Sequence, residues 1–408
     1  MRQSIVLVAN DIGGVGGMEH HLEEMVLRLR RDYDVTVITS SFRVPDAQDV
    51  RYIHIPVIRK PFAVMILMFS VLASLRLLFV KRNAIVHTTG AIVFNRVDLS
   101  TIHFCHAGFR EAATRWKTDS RKTTLPLAKR MNAKLSLLIS LQSERFCYRP
   151  DKIHHLVAVS GRIGEELQTF CHYPVHRIHR ISNGVDTQRF APKSHSAKRI
   201  MRQAAGFDED GTYLIFMGGD WDRKGLHWVV GGFNQLAEEH RDLHLLIVGS
   251  GNTHRYQALV HPQYRNRVHF LGKRSNPEDW YAIADIFVFP SQYEACSLAV
   301  LEAAASGLAL VVTNVGGAGD IVEDGVSGMF VQGSSSDIAT KVGLLLDNPA
   351  QLQSMGQAVR QRVEQLTWDH TYASFCEVYR LIQEERRSPT KRHTDSLVST
   401  QFGEQDLR

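Results

Sequence analysis

Short apolar runs recur along the chain, and each is followed by a longer segment whose apolar residues have helical spacing. The first run covers residues 4–10 and the next residues 34–39, with a glycine-rich turn and an amphipathic segment between them. Strands buried on both faces give such runs, and parallel strands need a crossover connection, usually a helix. The pattern therefore predicts an α/β protein that opens with a doubly wound βαβ unit.

The alternation of strands and helices restarts at about residue 213, after a polar linker near residues 194–196. A chain of 408 residues is longer than the roughly 250–300 residues at which single hydrophobic cores stop growing. We therefore predict two Rossmann-like domains, residues 1–190 and residues 191–367. Residues 388–408 lack apolar periodicity, which favours a disordered tail.

The composition is that of a folded protein, with 44% hydrophobic and 22% charged residues. The five cysteines are scattered and form no CxxC motif, which indicates reduced thiols and argues against a structural zinc site. No apolar signal segment precedes the first strand, so we expect no secretory signal. A cytoplasmic location follows from both observations.

One segment, Phe62–Val80, has the length of a membrane span and a single charged residue, Arg76. It lies between two predicted strands, at residues 50–55 and 84–88, where a crossover helix belongs. We therefore predict a buried or surface-docked helix, with a membrane span as the alternative.

A basic stretch follows at Arg110–Lys134, with eight Lys or Arg residues against two acidic ones. Leucines and other apolar residues are interleaved with the charges, a pattern suited to an anionic membrane surface. Nucleic acid is not expected as a partner, because no helix-turn-helix, RNA-binding sheet signature or zinc finger accompanies the charge. A solvated loop and helix is the alternative interpretation.

Two carboxylates, Glu294 and Glu302, stand out in the segment Phe289–Thr313. Glu294 comes just before an apolar helix, where free N–H groups and the helix dipole favour an anionic ligand. Glu302 lies on that helix and needs hydrogen-bond donors, which ligand hydroxyls or nearby protein groups could supply. The spacing alone is weak, since Glu377 and Glu385 share it on a charged helix that we interpret as a solvated face.

Two glycine turns are candidates for phosphate binding. Gly16 and Gly17 begin the first helix, but the dinucleotide fingerprint fails because its third glycine position is Glu19. Either the turn lets the backbone approach a phosphate, or it is a plain tight turn. Arg223 and Lys224 follow the second turn, where they could hold a diphosphate or simply be surface residues.

His106 follows a predicted strand at residues 99–105. Strand ends in open parallel sheets face the ligand crevice, so His106 is a candidate for chemistry. His103 lies inside the same strand, and we predict a structural role for it.

The string FPSQYEACSLAVLEAAASGLALVVT, with NVGG after it, resembles the donor-site signature of family 4 of the retaining nucleotide-sugar glycosyltransferases. The likeness extends over about residues 4–387 and is strongest over residues 211–331. It implies the GT-B fold, in which two Rossmann-like, doubly wound domains face each other across a crevice. It also implies that a helix at residues 368–387 crosses back to the first domain.

The resemblance implies roles for several candidate residues. Glu294 would lie beside the donor sugar, with His106 near the reacting centre, and both are predicted to be catalytic. Glu302 would bind the ribose hydroxyls. Gly16 and Gly17 would lie beside the donor diphosphate.

The donor site implied by the resemblance has two departures from the common family pattern. Arg223 and Lys224 would flank the diphosphate, but the family usually has its Arg directly after the first glycine, where this chain has Gly219. The adjacent Arg and Lys are similar to the lipopolysaccharide-core glucosyltransferase branch. Ser297 stands where the family often has glycine, and with Leu298 it completes the predicted substrate-binding residues.

The expected function is retaining transfer of a sugar from a UDP- or GDP-linked donor to a hydroxyl of a glycan or lipid-linked acceptor, in cell-envelope polysaccharide or lipopolysaccharide synthesis. We expect no cofactor and no metal, and a peripheral location on the inner face of the plasma membrane. The alternative is a non-catalytic protein that binds nucleotide sugars or polyanions, which the relocated Arg and the basic stretch would also suit.

Overall fold

A computed structural model of the protein describes residues 2–14, 16–80, 83–115 and 127–387. Within these ranges the chain forms two parallel sheets, each covered by helices. The predicted tail at residues 388–408 lies outside the described residues.

The first half of the chain contains nine strands and five α-helices in its described ranges. The strands are β1 (Ser4–Val8), β2 (Asp11–Ile12), β3 (Asp34–Thr39), β4 (Ser41–Phe42), β5 (Arg51–His54), β6 (Ile85–Thr89), β7 (Val97–Ile102), β8 (Ile153–Ala158) and β9 (Ile178–Arg180). The helices are α1 (Gly17–Asp32), α2 (Phe62–Leu77), α3 (His106–Arg115), α4 (Leu127–Cys147) and α5 (Gly161–Cys171). Seven of the strands form one sheet in the order β5-β3-β1-β6-β7-β8-β9, while β2 and β4 pair separately.

The second half forms a six-stranded sheet. Its strands are β10 (Thr212–Met217), β11 (Leu243–Val248), β12 (Val268–Gly272), β13 (Ile286–Phe289), β14 (Ala309–Val312) and β15 (Met329–Phe330). Its helices are α6 (His195–Ala204), α7 (Leu226–Leu236), α8 (Thr253–Gln257), α9 (Pro277–Ile283), α10 (Leu298–Ala305), α11 (Ala318–Ile321), α12 (Ser335–Leu346) and α13 (Pro349–Val363), followed by α14 (Trp368–Arg387).

Strand order makes both sheets doubly wound. The second sheet runs β12-β11-β10-β13-β14-β15, so the chain moves outward in one direction and then in the other from a switch point between β10 and β13. The first sheet has its switch point between β1 and β6. Ligands in such sheets bind outside the carboxyl ends of the strands at the switch point.

The core of the second sheet explains why its strands are nearly continuous apolar runs. Phe216, Phe287 and Phe289 are fully buried, and the last two rings stack with centroids 5.4 Å apart. Truncating one buried aromatic side chain costs roughly 3–5 kcal/mol, so this core holds β13 and the loop that follows it in a fixed position.

Helix α14 returns from the second sheet to the first. Tyr379 on α14 is buried, and its hydroxyl is 2.7 Å from Nδ1 of His87 on β6. Arg386 near the end of α14 forms an ion pair with Asp98 of β7 at 2.6 Å. The helix thus packs on β6 and β7 of the first sheet, and its start contacts α1 through Asp369 and Arg28.

The apolar segment at Phe62–Val80 forms a shorter helix than predicted, since α2 ends at Leu77. Phe69 and Ala73 on one face are buried in the core, whereas Leu67 and Leu75 on another are about half exposed. It is therefore a surface-docked helix. Among the described residues, no helix combines the length and apolar character that a membrane crossing requires.

The prediction of a strand at residues 99–105 was wrong at its end, because β7 stops at Ile102. The Tyr293 hydroxyl accepts a hydrogen bond from the Cys105 N–H at 3.2 Å and lies 3.0 Å from the Cys105 carbonyl oxygen. A side chain from the other half of the molecule thus satisfies backbone groups that a longer strand would have paired. His106 is consequently the first residue of α3 and not a strand end.

Candidate functional site

The carboxyl ends of the central strands of both sheets face a crevice between the two halves of the molecule. The loop after β13 carries Glu294 and reaches across this crevice. The turn before α7 supplies Arg223 and Lys224. These three residues, which the sequence analysis selected from separate patterns, lie together.

Three donor groups lie close to one carboxylate oxygen of Glu294. Arg223 Nη1 donates to Oε1 at 3.0 Å, Ser291 Oγ donates to the same oxygen at 3.0 Å, and Lys224 Nζ is 3.7 Å away. The Arg223 guanidinium also donates to Asp220 at 2.7 Å and to the Tyr293 carbonyl oxygen. Two cations thus meet two carboxylates, those of Glu294 and Asp220, and an anionic ligand would compete with these carboxylates for the cations.

Lys224 lies in a confined position. Its Nζ is 4.7 Å from the centroid of the Phe289 ring. A Cβ atom at Gly218 would lie 2.6 Å from that Nζ, and Gly218 has a φ of 134°, so only glycine fits the turn. Burial lowers the pKa of Lys224, although the carboxylate of Glu294 opposes the shift. An anion that replaced water here would interact strongly with the ammonium group.

Glu302 on α10 is partly buried and accepts a hydrogen bond from the Tyr281 hydroxyl at 3.1 Å. Burial raises the pKa of Glu302 to about 7, even though Tyr281 and the charge of Arg189 act in the opposite direction. The carboxylate is therefore poorly satisfied by protein groups alone. A ligand that donated hydroxyl hydrogen bonds would lower that pKa.

The first half contributes the turn before α1. Gly17 faces Leu298 across the crevice, with the position of a Cβ at Gly17 only 3.8 Å from Leu298 Cδ1. Gly16 precedes the helix, and a Cβ there would lie 2.0 Å from a carboxylate oxygen of Glu19. Ser297 is the N-cap residue of α10, and its side chain makes no cap hydrogen bond to the described residues. Gly17, Ser297 and Leu298 thus meet where two helices begin.

His106 is held by a partner that the sequence analysis missed. Its Nδ1 is 2.8 Å from Oε1 of Glu144, a buried residue on α4. The same carboxylate accepts from the backbone N–H groups of His106 at 2.8 Å and Ala107 at 3.3 Å. With Nδ1–H donated to Glu144, Nε2 is the ring nitrogen that can accept a proton. The sequence offered one signal for this role, which is that Glu144 is an acidic residue within a leucine-rich helix.

Tyr293 is the second missed residue. It is 2% exposed, and its hydroxyl lies 2.8 Å from Oε2 of the buried Glu166 on α5. Burial raises the pKa of Glu166, although Tyr293 and Arg162 oppose the shift. Tyr293 also packs against the Phe104 ring at 5.0 Å, which in turn lies 4.9 Å from the His106 ring. Tyr293 therefore joins the Glu294 loop to the His106 region.

Two further contacts hold the halves together. Asn183 Nδ2 donates to the Cys296 carbonyl oxygen at 3.0 Å. The N–H of Gly161, at the start of α5, donates to the Asp320 carboxylate at 3.0 Å. The crevice thus has fixed walls at the loop that carries Glu294.

A cavity of about 990 Å³ opens beside Glu294. Ala112 and Arg162 line it from the first half, and Gln292 and Asn314 are among the residues that line it from the second. This volume is sufficient for a ligand of sugar size or larger. Of the predicted site residues, Glu294 alone lines this cavity.

Two residues outside the predicted site, His103 and Glu385, were interpreted from the sequence as structural and as solvated, respectively. His103 is partly buried just beyond the end of β7, with its ring 4.6 Å from that of His21, and burial lowers its pKa to about 3. Its structural role stays a prediction. Glu385, interpreted as part of a solvated face, is instead partly buried and hydrogen-bonded to two histidines of β8. Within the described ranges, that group alone has metal-ligand spacing, and it lies outside the crevice.

Two family models match the chain. Residues 15–189 match the model described as Glycosyltransferase Family 4, and residues 211–348 match that described as Glycosyl transferases group 1. The D-inositol 3-phosphate glycosyltransferase 2 of Catenulispora acidiphila is 30% identical over 252 residues, which cover 58% of each chain. The chain thus aligns with little more than half of the length of this curated relative.

Solved structures resemble the fold along nearly the whole chain. WaaG, a glycosyltransferase involved in lipopolysaccharide biosynthesis, gives a TM-score of 0.73 at 18% identity and covers 92% of this chain and 98% of that chain. Anabaena HepE, in complex with UDP and glucose, gives 0.66 at 16% identity and covers 92% and 99%. The predicted architecture of two facing Rossmann-like domains is confirmed.

Proposed function

Because the chain belongs to family 4 of the glycosyltransferases and has the GT-B fold, as the resemblance predicted, we propose that it transfers a sugar from a nucleoside-diphosphate sugar to a hydroxyl of a glycan or glycolipid acceptor. The transfer retains the configuration of the anomeric carbon. The product belongs to a cell-envelope polysaccharide or lipopolysaccharide. UDP- or GDP-linked sugars are the proposed donors, in keeping with the UDP bound to the similar HepE.

The cluster of Arg223, Lys224 and Ser291 on Glu294 is the observation that carries this proposal. Departure of a nucleoside diphosphate develops negative charge on its phosphate oxygens. Preformed cations in a site that excludes water stabilise such charge without reorganisation. The diphosphate would take over donors that Glu294 holds in the free protein, and Glu294 would then be available to the donor sugar.

His106 and Glu302 complete the proposed site. Glu144 positions the His106 ring so that Nε2 faces away from the carboxylate, ready to contact a sugar hydroxyl. Glu302 accepts the ribose hydroxyls, which would supply the donors that the free protein lacks. The Gly16–Gly17 turn brings backbone N–H groups to the diphosphate.

The test is donor turnover by the purified protein with a panel of UDP-, GDP- and ADP-sugars, with and without lipid-linked acceptors. We expect release of the nucleoside diphosphate from at least one donor, and NMR of the product should give the same anomeric configuration as the donor. Binding of a nucleotide sugar without release under any condition would favour the non-catalytic binding protein instead. An inverted product would refute the retaining mechanism.

We further propose that the first half docks on an anionic membrane. Helices α2 and α4 pack against each other, and their outer surface exposes a set of large apolar side chains (Phe62, Leu67, Val71, Leu75, Leu127, Met131, Leu135, Leu138). Lys129, Arg130 and Lys134 on α4 are exposed beside them. Residues 116–126, which hold the rest of the basic stretch, lie outside the described residues. Such a surface would hold the enzyme at the leaflet that contains a lipid-linked acceptor.

Co-sedimentation with vesicles tests this docking. We expect binding to anionic vesicles that weakens from 0.1 M to 1 M salt, because the Debye length falls from about 10 Å to about 3 Å. Changing Lys129 and Arg130 to Gln should lower the affinity roughly 30-fold, since each charge near the leaflet contributes about 1 kcal/mol. The matched control changes Arg241 and Arg265, exposed on the second half, to Gln. Equal binding to neutral vesicles, or equal effects of both double variants, would refute the proposal.

A further inference from the structure

Three side chains converge on one point at the amino-terminal edge of the first sheet. His154 and His155 lie at the start of β8, and Glu385 lies near the end of α14. Nε2 of His154 is 2.7 Å from Oε2 of Glu385, and Nε2 of His155 is 3.1 Å from the same oxygen. Two imidazoles separated from the carboxylate by more than 200 positions therefore point at a single atom.

The geometry suits a small cation with nitrogen ligands. The three donor atoms all lie within 4.8 Å of one another. Zinc binds imidazole nitrogen and carboxylate oxygen at about 2.0–2.2 Å in a tetrahedron, so its ligand atoms lie about 3.4 Å apart. The two nitrogen–oxygen distances of 2.7 and 3.1 Å are somewhat shorter than this spacing, so the side chains would move slightly apart to admit the ion. Magnesium and calcium prefer oxygen ligands, and two histidines therefore select a transition cation.

The surroundings of His155 resemble the outer shell of a metal site. Its second ring nitrogen, Nδ1, lies 3.1 Å from Nε2 of His179 on β9. A metal-bound histidine usually donates its other N–H to a hydrogen-bond acceptor, which fixes the tautomer and the ring orientation, and Nε2 of a neutral His179 can act as that acceptor. His155 itself is 2% exposed, so its ring is held by packing.

His154 has a less favourable neighbour. Nη1 of Arg177 lies 3.4 Å from Nδ1 of His154. When Nε2 of His154 binds a cation, Nδ1 carries the proton and faces a guanidinium group, so two donors meet. Arg177 is not fully buried and can turn away, but its charge opposes binding. Replacing Arg177 should therefore increase the affinity of the site for a cation.

We propose that His154, His155 and Glu385 bind one zinc ion, with water in the fourth position, and that the ion clamps α14 to the first sheet. The amino-terminal edge of β8 is opposite the carboxyl edge, where Gly161 and the crevice lie. About six residues of strand, or roughly 20 Å, separate the two edges. The ion would therefore be remote from the crevice, where it would hold the helix that returns from the second half. It is independent of the proposed transfer reaction.

The test uses tag-free full-length protein that has been dialysed against a chelator. Calorimetric titration with zinc chloride should give one equivalent, and cobalt should give an absorption band of a nitrogen- and oxygen-liganded tetrahedral site. The melting temperature should rise with zinc concentration, because the ion binds the folded state. Absence of a stoichiometric site in the wild-type protein would overturn the proposal, whatever the variants do.

Variants identify the ligands. His154→Gln and Glu385→Gln should each lower zinc affinity more than about 100-fold, and His179→Leu, which removes the acceptor for His155 Nδ1–H, about 10- to 100-fold. Arg177→Gln should increase the affinity, because a Gln carbonyl accepts the Nδ1–H of His154. His176→Gln, an exposed histidine nearby, is the control and should leave the affinity unchanged. Circular dichroism verifies the fold of each variant, and equal zinc binding by folded His154→Gln and wild-type protein would also overturn the proposal.

Discussion

Replacing Glu302 by Gln should stabilise the free protein at pH 8 and weaken donor binding at the same time. In the folded chain the pKa of Glu302 is raised by burial from 4.5 to about 7. A carboxyl with a raised pKa favours folding fully below pH 4.5, and that contribution is lost as the pH rises through 7. At pH 8 the folded wild-type protein therefore holds an ionised carboxylate to which, among the described residues, Tyr281 alone donates a hydrogen bond, at 3.1 Å.

The size of this effect follows from the pKa difference. A change from 4.5 to about 7 corresponds to roughly 3 kcal/mol between pH 4.5 and pH 8. This is an upper value, because Glu302 is only partly buried and water screens part of its charge. The Gln carbonyl oxygen can still accept from Tyr281, so the variant keeps that hydrogen bond. The donor loses charge-assisted hydrogen bonds worth about 1.5–3 kcal/mol, or roughly 10- to 100-fold in affinity.

Urea denaturation of both proteins at pH 5 and pH 8 measures the first effect, and titration with the donor measures the second. We expect the free energy of unfolding of Glu302→Gln, relative to wild type, to rise by about 1–3 kcal/mol from pH 5 to pH 8. Glu377→Gln, on an exposed part of α14, is the control and should show no such change. If Glu302→Gln is the less stable protein at pH 8, the carboxylate has a structural role and the reasoning fails.

Three further outcomes are expected. Lys224→Ala should lower kcat/KM by about 2–4 kcal/mol in transition-state stabilisation, or roughly 30- to 1,000-fold, and activity within twofold of wild type would contradict a diphosphate role. Tyr293→Phe should lower the free energy of unfolding by about 1–3 kcal/mol in urea, because Glu166 and a buried backbone N–H lose a partner; a change below about 0.5 kcal/mol would contradict this. His103 has a pKa of about 3 in the folded state, below its ordinary 6.5, so its contribution to stability is present above pH 6.5 and is lost as the pH falls. In His103→Leu, the free energy of unfolding should therefore depend less steeply on pH between 6 and 4, by about 1.4 kcal/mol per pH unit. An unchanged slope would show that this histidine is not held in its neutral form in the folded protein.

Local pattern was sufficient for most of the fold. Continuous apolar runs, typical of strands buried on both faces, predicted the parallel strands. The apolar helix between β13 and β14 was also predicted, together with the positions of Glu294 and Glu302. Element ends were less predictable. The end of β7 depends on the hydroxyl of Tyr293, which lies nearly 200 positions away, and no local signal at residues 103–105 contains that information.

In the candidate site, too, the sequence predicted some features and only the tertiary structure determined the others. Glycine turns, a basic pair and acidic residues next to an apolar helix are local features, so the sequence by itself determined Arg223, Lys224, Glu294 and Glu302 as candidates. Tertiary structure alone decided which atoms meet, because the contacts join elements that are far apart in the chain.

Tertiary packing brings Arg223 to Glu294 within the second half, Tyr293 to Glu166 across the crevice, and His154 to Glu385 where α14 lies on the first sheet. These pairs are separated by 71, 127 and 231 positions in the chain. Hydrophobic periodicity determines which face of an element is buried, since it depends on neighbours in the chain. It carries no information on which polar group of a distant element will lie opposite. The charges and hydrogen bonds that set the pKa values of these groups therefore appear only in the folded molecule.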